Sequence, residues 1–371
     1  MPDESKETQN RKIEHIDIVV KKETQYRKKT TLLECVEIIP QGKAVKAGKA
    51  VKAEDVDTST SLLGKRIAAP IFVSGMTGGH PATYEINKNI ALAVSRINIP
   101  MGVGSQRAMY EKHDLAYTYD VKKVAKDIIL IGNMGATKLL KYDDRKVQET
   151  LDAIDADMLA LHTNPAQESV QPEGDIDFRG VYSRICEIGR NLRQPVVLKE
   201  VGNGISKEVA KKVDGKVYAI DVQGAGGTTW VGVETYRSKG TYGSAFWEWG
   251  IPTALSVLES KSAFHGPVWA SGGIRTASDI IKAVAIGAEM SGIAQPVLVS
   301  ERKEGASGVY DYLDKLIKEV KAEMGALGFS SIDELKKARI RISDPLASFL
   351  KQRRAIPQNM ENRDMLETAQ Q

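Results

Sequence analysis

At 371 residues the chain can bury a substantial core, as one large α/β domain with insertions or as two smaller domains. Its 52 basic and 48 acidic residues leave a formal charge of only +4, which gives no broad basic field of the kind that attracts nucleic acid and suits a small anionic ligand better than a polymer. Cys35 and Cys186 stand far apart in no metal-ligand spacing, which argues against a disulfide framework or a zinc site. The opening stretch MPDESKETQNRKIEH lacks the apolar centre of a signal peptide, and no segment approaches the roughly 20 apolar residues that span a bilayer. A soluble, cytoplasmic protein is expected.

In chain order, residues 1–66 form an N-terminal extension. It contains LLECVEII, expected as a strand or cap across a barrel floor, and GKAVKAGKAVKAEDV, whose repeated KAVKA predicts a surface hairpin or a helix duplication. Eight short apolar runs follow, at 67–75, 99–105, 128–135, 157–163, 195–202, 216–224, 267–273 and 289–295. Near-continuous apolar character over a few residues marks strands buried on both faces, as parallel strands covered by helices must be. The segments between them are helical in pattern. DDRKVQETLDAI spaces Val147, Leu151 and Ile154 one turn apart behind Asp143 and Asp144, and TASDIIKAVAIGA opens on a Thr276–Asp279 cap and stops at Gly287. Strand and helix repeated eight times predict an α/β fold, a (β/α)8 TIM barrel over 67–350, for which about 250 residues is typical. The connection between the sixth and seventh strands, centred on WVGVETYRSKGTYGSAFWEWG, is expected as a long lid or binding loop. The tail 351–371 is polar.

Each run ends in glycine or polar residues at its C-terminal end, the face on which barrel enzymes build their sites. In order these are Ser74 to Gly79, Ser105-Gln106-Arg107, Asn133, His162 to Glu168, Lys199, Gly224 to Thr229, Ser271 to Arg275, and Ala294-Gln295. Lys199 follows PVVL in mid-strand, so it is buried and needs an anionic partner to stay charged. His162 alone would read as a satisfied core histidine; Asn164, Gln167 and Glu168 beside it favour a binding cluster. The turn ASGGIR places bare backbone N–H groups before a capped helix, an arrangement suited to phosphate. With phosphate held there, Thr77, Ser105, Asn133, Lys199 and Thr229 are left to bond a planar ring.

These motifs in this order, RKIEH, SGMTGG, GVGSQR, GNMGA, LHTNPAQE, LKEVG, DVQGAGGT, ASGGIR and AQP, resemble those of the type 2 isopentenyl-diphosphate isomerases, FMN-dependent (β/α)8-barrel enzymes, from about Arg11 to Gln295. The resemblance implies isomerisation of isopentenyl to dimethylallyl diphosphate with reduced FMN and Mg2+, and NADPH or NADH as the flavin reductant. It implies FMN contacts from Ser74, Gly75, Met76, Thr77, Ser105, Asn133, Lys199 and Thr229. The FMN phosphate end would fall to Gly272, Gly273, Ile274, Arg275, Ala294 and Gln295. Substrate binding would involve Arg11, Lys12, Ser105, Gln106, Arg107, His162, Asn164 and Gln167, with Glu168 as the magnesium ligand. Gln167, His162 and Lys199 are the expected catalytic residues. It also implies a homo-oligomer, a tetramer or octamer, in which Arg11 and Lys12 fold over a site in their own or a neighbouring subunit.

Two positions depart from the family pattern: Gln223 stands where a small residue is expected, and Gly75 where many relatives carry serine, which predicts a looser backbone contact there. Two other readings remain open. An FMN-dependent α-hydroxy-acid oxidase would need a histidine base and a free arginine near the late strands, where the sequence has His265 and Arg275. A non-catalytic FMN or phosphate-binding barrel would need neither Glu168 nor the Arg11–Lys12 pair.

Overall fold

The computed structural model describes residues 4–41, 51–238 and 243–356. Eight parallel strands close into a barrel: β1 (Ile71–Val73), β2 (Met101–Gly102), β3 (Leu130–Gly135), β4 (Met158–His162), β5 (Val196–Lys199), β6 (Ala219–Asp221), β7 (Val268–Ser271) and β8 (Met290–Ile293). Each lies within one of the eight apolar runs. Closure is made by β8 against β1, with Ser291 opposite Ile71 and Ile293 opposite Val73.

Side chains alternate between the two faces of a strand, and the alternation separates two cores. Ile71, Val73, Leu130, Leu159, Leu161, Val196, Leu198, Val268 and Ala270 belong to the large cluster shared with the surrounding helices. Phe72, Ile131, Ala160, Val197, Ala219, Trp269 and Met290 fill the barrel interior. On six of the eight strands the next inward position is polar: two residues past Phe72, Ile131, Ala160, Val197, Ala219 and Trp269 stand Ser74, Asn133, His162, Lys199, Asp221 and Ser271. The step that builds the dry core thus also builds a polar ring above it.

The floor differs from expectation. It is plugged by the hairpin Thr60–Leu62/Lys65–Ile67, whose Leu62 and Ile67 join the interior cluster. Its turn, Leu63-Gly64, has both φ values positive, at 52° and 75°, which suits the twist of a two-residue hairpin. In LLECVEII, the strand Val36–Ile38 does form, but it pairs antiparallel with Ile340–Ile342 and packs with the helical layer rather than across the floor. The KAVKA repeat falls largely at 42–50 and lies outside the described residues, as does the tail from 357; Lys351 to Arg353 complete the helix Leu346–Arg353.

Five helices position the site: α1 (Glu4–Lys21), α2 (Pro165–Val170), α3 (Trp230–Arg237), α4 (Ala277–Ala285) and α5 (Gln295–Leu327). The expected long loop after β6 is in its middle the helix α3, which packs on α1 and α2. The segment after α1 is strapped to the β6 loop, with Thr229 N donating to Thr24 O at 2.8 Å and Tyr26 N to Gly227 O at 3.0 Å. Among the described residues no helix is long and apolar enough to cross a membrane. Ile67→Ala, which opens a void in the floor plug, is expected to cost about 2–5 kcal/mol, read as a lower denaturant midpoint with an unchanged m-value.

Candidate active site

A cavity of about 170 Å³ opens at the C-terminal ends of the strands. Its walls include Ser74, Gly75, Met76, Ser105, Arg107, Asn133, His162, Asn164, Gln167, Glu168 and Lys199, with Ala294 and Gln295 at one end. α1 lies over the mouth and contributes Arg11, Lys12, His15, Ile16 and Val19. One chain therefore supplies both the arm and the barrel it covers. A contiguous chamber of about 70 Å³ is lined by Ser271, Gly272, Gly273, Ile274, Arg275, Ala294 and Gln295.

Positive charge dominates. Arg11, Lys12, Arg107, Lys138 and Lys199 line the cavity, against the single carboxylate Glu168. Three of the cations are paired at the rim: Arg11 with Glu173 (3.2 Å), Arg107 with Glu111 (2.8 Å) and Lys138 with Asp175 (3.2 Å). Lys12 and Lys199 have no salt bridge among the described residues. Burial, then the neighbouring Arg11 and Arg107, brings Lys12 down to about 7. Burial also lowers Lys199, although Asp221 and Glu200 pull the other way. His162 is driven well below its usual range by burial and by Lys199, Lys12 and Arg11, so it is neutral. Asn133 Nδ2 donates to Val103 O at 3.0 Å, so its Oδ1 must accept from His162 Nδ1, 2.9 Å away. That leaves the bare Nε2 of His162 as an acceptor.

The mouth is tied by a buried carboxylate that the motifs did not reveal. Glu234, on α3, has a fully buried side chain and accepts at Oε1 from His15 Nε2 (3.0 Å) and Gln167 Nε2 (3.0 Å), and at Oε2 from Arg237 Nε (2.7 Å). Gln171, with its carboxamide turned to satisfy both neighbours, adds a donor to Glu234 at 3.1 Å and accepts from Arg11 Nη1 at 2.9 Å. Burial alone raises a carboxyl's pKa, but the hydrogen bonds from His15, Gln167 and Arg237 outweigh it and hold Glu234 at about 2. Glu234 thereby joins α1, α2 and α3. His15, Gln171, Trp230 and Lys138 also line the cavity and were not singled out from the motifs.

Several expected residues lie elsewhere than foreseen. The Gln106 side chain points away from the cavity, with Oε1 accepting from Asn133 N at 2.9 Å and Nε2 reaching Thr150 O at 3.3 Å; it braces β3 against its helix. Thr77 and Thr229 are buried behind the wall, outside the cavity lining. Gly75 is tightly held rather than loose, since a Cβ there would lie 2.0 Å from Val103 O. Glu168 accepts from Asn164 Nδ2 at 2.9 Å and from Asp175 N at 2.6 Å. At the glycine turn, the start of α4 is already satisfied by its own capping box, Asp279 Oδ2 accepting from Arg275 N (3.0 Å) and Thr276 N (2.9 Å). The start of α5, at Ala294-Gln295, has no side-chain cap. Its free N–H groups and the Gly272-Gly273 backbone, rather than α4, border the chamber.

The model of the FMN-dependent dehydrogenase family matches residues 146–342, and the structure is similar to a lactate oxidase of Pediococcus acidilactici (TM-score 0.66, 15% identity, 91% of this chain and 93% of that one) and to a flavocytochrome b2 variant (0.63, 17%, 88% and 82%). The fold is that of the FMN-dependent barrel enzymes. At higher identity, the chain is 41% identical over 353 residues to the isopentenyl-diphosphate delta-isomerase of Methanococcus maripaludis, covering 91% of this chain and 97% of that one. It is 41% identical over 359 residues to that of Methanocaldococcus jannaschii (94% and 98%), and 39% over 364 to that of Pyrococcus furiosus (95% and 91%). The chain belongs to the isopentenyl-diphosphate delta-isomerase family.

Glu234→Gln is expected to loosen α1, because one buried acceptor serving three elements becomes a weaker, neutral one. Hydrogen exchange of the α1 amides should speed up while the barrel strands stay protected, a local loss of about 1–3 kcal/mol. Lys12 gives a pH signature. An anion bound beside it favours its protonated form, so affinity for inorganic pyrophosphate, read by calorimetry, should fall as pH rises through about 7, by up to about tenfold per unit. Lys12→Arg should remove that part of the pH dependence.

Proposed function

We propose that this chain converts isopentenyl diphosphate to dimethylallyl diphosphate with FMN in its reduced state and Mg2+, and without net redox change. The observation that carries this reading is a cavity with Arg11, Lys12 and Arg107 at its mouth, joined to a chamber lined by the glycine turn and the start of α5.

The residues present fit FMN. Gly272 and Gly273 have φ of 96° and 78°, and a Cβ on Gly272 would lie 2.1 Å from Gly224 O, so the turn offers backbone and no side chain. Gly272, Gly273, Ile274, Arg275, Ala294 and Gln295 would hold the phosphate. Ser74, Gly75, Met76, Ser105, Asn133 and Lys199 would face the ring, and Thr77 and Thr229 would support it from behind the wall. Reduced FMN, when bound, supplies an electron-rich surface that stabilises developing positive charge and exchanges protons. Lys199 favours an anionic ring beside it.

Mg2+ fits in a limited way. Among the described residues no cluster of three or more His, Cys, Asp or Glu side chains is placed to hold a metal, so Glu168 would be the protein's one carboxylate, with substrate oxygens and water completing the shell. Arg11, Lys12 and Arg107 bind the diphosphate; Gln167, fixed by Asn164 and Glu234, orients the hydrocarbon end; His162, kept neutral, offers an acceptor without adding charge. α1 excludes water, which protects a cationic reaction path from capture.

The oxidase reading finds less support. His265 has a side chain 92% exposed and bonds Asp214 at 2.8 Å, outside the cavity walls. Arg275 is engaged with Gln25 and the carbonyls of Gly226 and Gly273. The test is redox balance. NADPH, NADH or dithionite should be needed once to reduce the flavin, after which many anaerobic turnovers follow with no further consumption. One equivalent of reductant oxidised per product would overturn the isomerase reading.

A further inference from the structure

Gln223 is the position where a small residue was expected, and its surroundings give it a task. It has φ of 41°, a left-handed conformation that non-glycine residues rarely adopt and that concentrates at functional sites. Its side chain borders the main cavity, the phosphate chamber and the small void between ring level and barrel core. The carboxamide Nε2 donates to Asp221 Oδ2 at 2.8 Å and reaches Ser74 Oγ at 3.4 Å.

Asp221 is the carboxylate that Lys199 faces. The two are register partners on the adjacent strands β5 and β6, both point inward, and both are buried, at 6% and 2% exposure. Two opposite charges so placed in a low-dielectric interior attract strongly. Yet no salt bridge joins them among the described residues, and Asp221 Oδ1 has no hydrogen-bond partner at all. The hydrogen bond that holds this carboxylate at 2.8 Å comes from Gln223, with the Ser271 hydroxyl also beside it.

We propose that Gln223 is a positioning residue that restrains Asp221 by its hydrogen bond, so that the Lys199 ammonium stays directed at the cavity instead of collapsing into an ion pair within the barrel. The charge felt by a bound ring is then set by Gln223 acting through Asp221 and Lys199. Removing the carboxamide leaves Asp221 to Lys199 and the Ser271 hydroxyl; when the pair closes, the lysine's field at the ring is neutralised. Burial raises the Asp221 carboxyl's pKa, and Lys199 and Gln223 both oppose that rise, so the three groups act on one another. The inference rests on the reading of the cavity as an FMN site.

The test is a spectroelectrochemical titration of FMN bound to wild type, Gln223→Gly, Asp221→Asn and the double variant. Glycine adopts the φ of this position freely, so Gln223→Gly should fold, with an apoprotein melting temperature at or above that of wild type. Its midpoint potential should nonetheless fall, because a cation beside the ring stabilises the reduced anion, and its FMN Kd should rise by roughly tenfold. Asp221→Asn should raise the potential, and adding Gln223→Gly in that background should cause no further shift. A potential unchanged in Gln223→Gly, or lowered equally with and without Asp221, overturns the proposal. Failure of the wild-type protein to bind FMN would instead defeat the reading of the site itself.

Discussion

Two buried ammonium groups without a salt bridge among the described residues, Lys12 over the mouth and Lys199 in the polar ring above the barrel core, are the constraint on which the site depends. Taking a charge out of water is costly unless an opposite charge meets it. The protein meets neither lysine with a carboxylate in direct contact, and sets Arg11 and Arg107 beside one of them. His162, between them, is kept neutral. Anions brought in by ligands are what balance this arrangement.

The carboxylates that could have neutralised these charges are instead engaged elsewhere. Glu173, Glu111 and Asp175 sit at the rim on Arg11, Arg107 and Lys138. Glu234 is saturated by donors from α1, α2 and α3 and remains ionised at any ordinary pH. It therefore fastens the cover without competing for the ligand's place. Glu200, on the loop after β5, has a pKa raised to about 7 by burial, against the backbone amides of Val201 and Asn203 that bond it. Charge, cover and cavity are one design: α1 brings Arg11 and Lys12, and the bonds from its His15 to Glu234 and from its Arg11 to Gln171 hold it down.

Much of this was legible in the sequence because strands obey a period of two. Asn133, His162 and Lys199 each stand two residues beyond an interior apolar residue, so their inward direction follows from the strand alone. Asp221 obeys the same step from Ala219 and was readable by the same rule, although the glycine-rich stretch after it has the stronger local pattern. Past the strand ends the rule lapses. Gln106 and Thr77 look like wall residues in GVGSQR and SGMTGG, but the backbone turns there and directs their side chains elsewhere. The helix α1 was also readable, since Arg11 and His15 are one turn apart, as are Lys12 and Ile16. Glu234 was not: its partner His15 is 219 residues away and Gln167 is 67, and no local pattern announces a carboxylate satisfied by contacts so distant.

The central claim is that bound anions complete a structure whose unpaired cations were placed for them. Its most direct test is the melting temperature of the apoprotein with riboflavin, with FMN, and with FMN plus isopentenyl diphosphate and Mg2+. Each added phosphate group should raise the melting temperature further, FMN above riboflavin and the diphosphate above FMN, in low-salt buffer. Equal stabilisation by riboflavin and FMN, with no added effect of the diphosphate, would contradict the account.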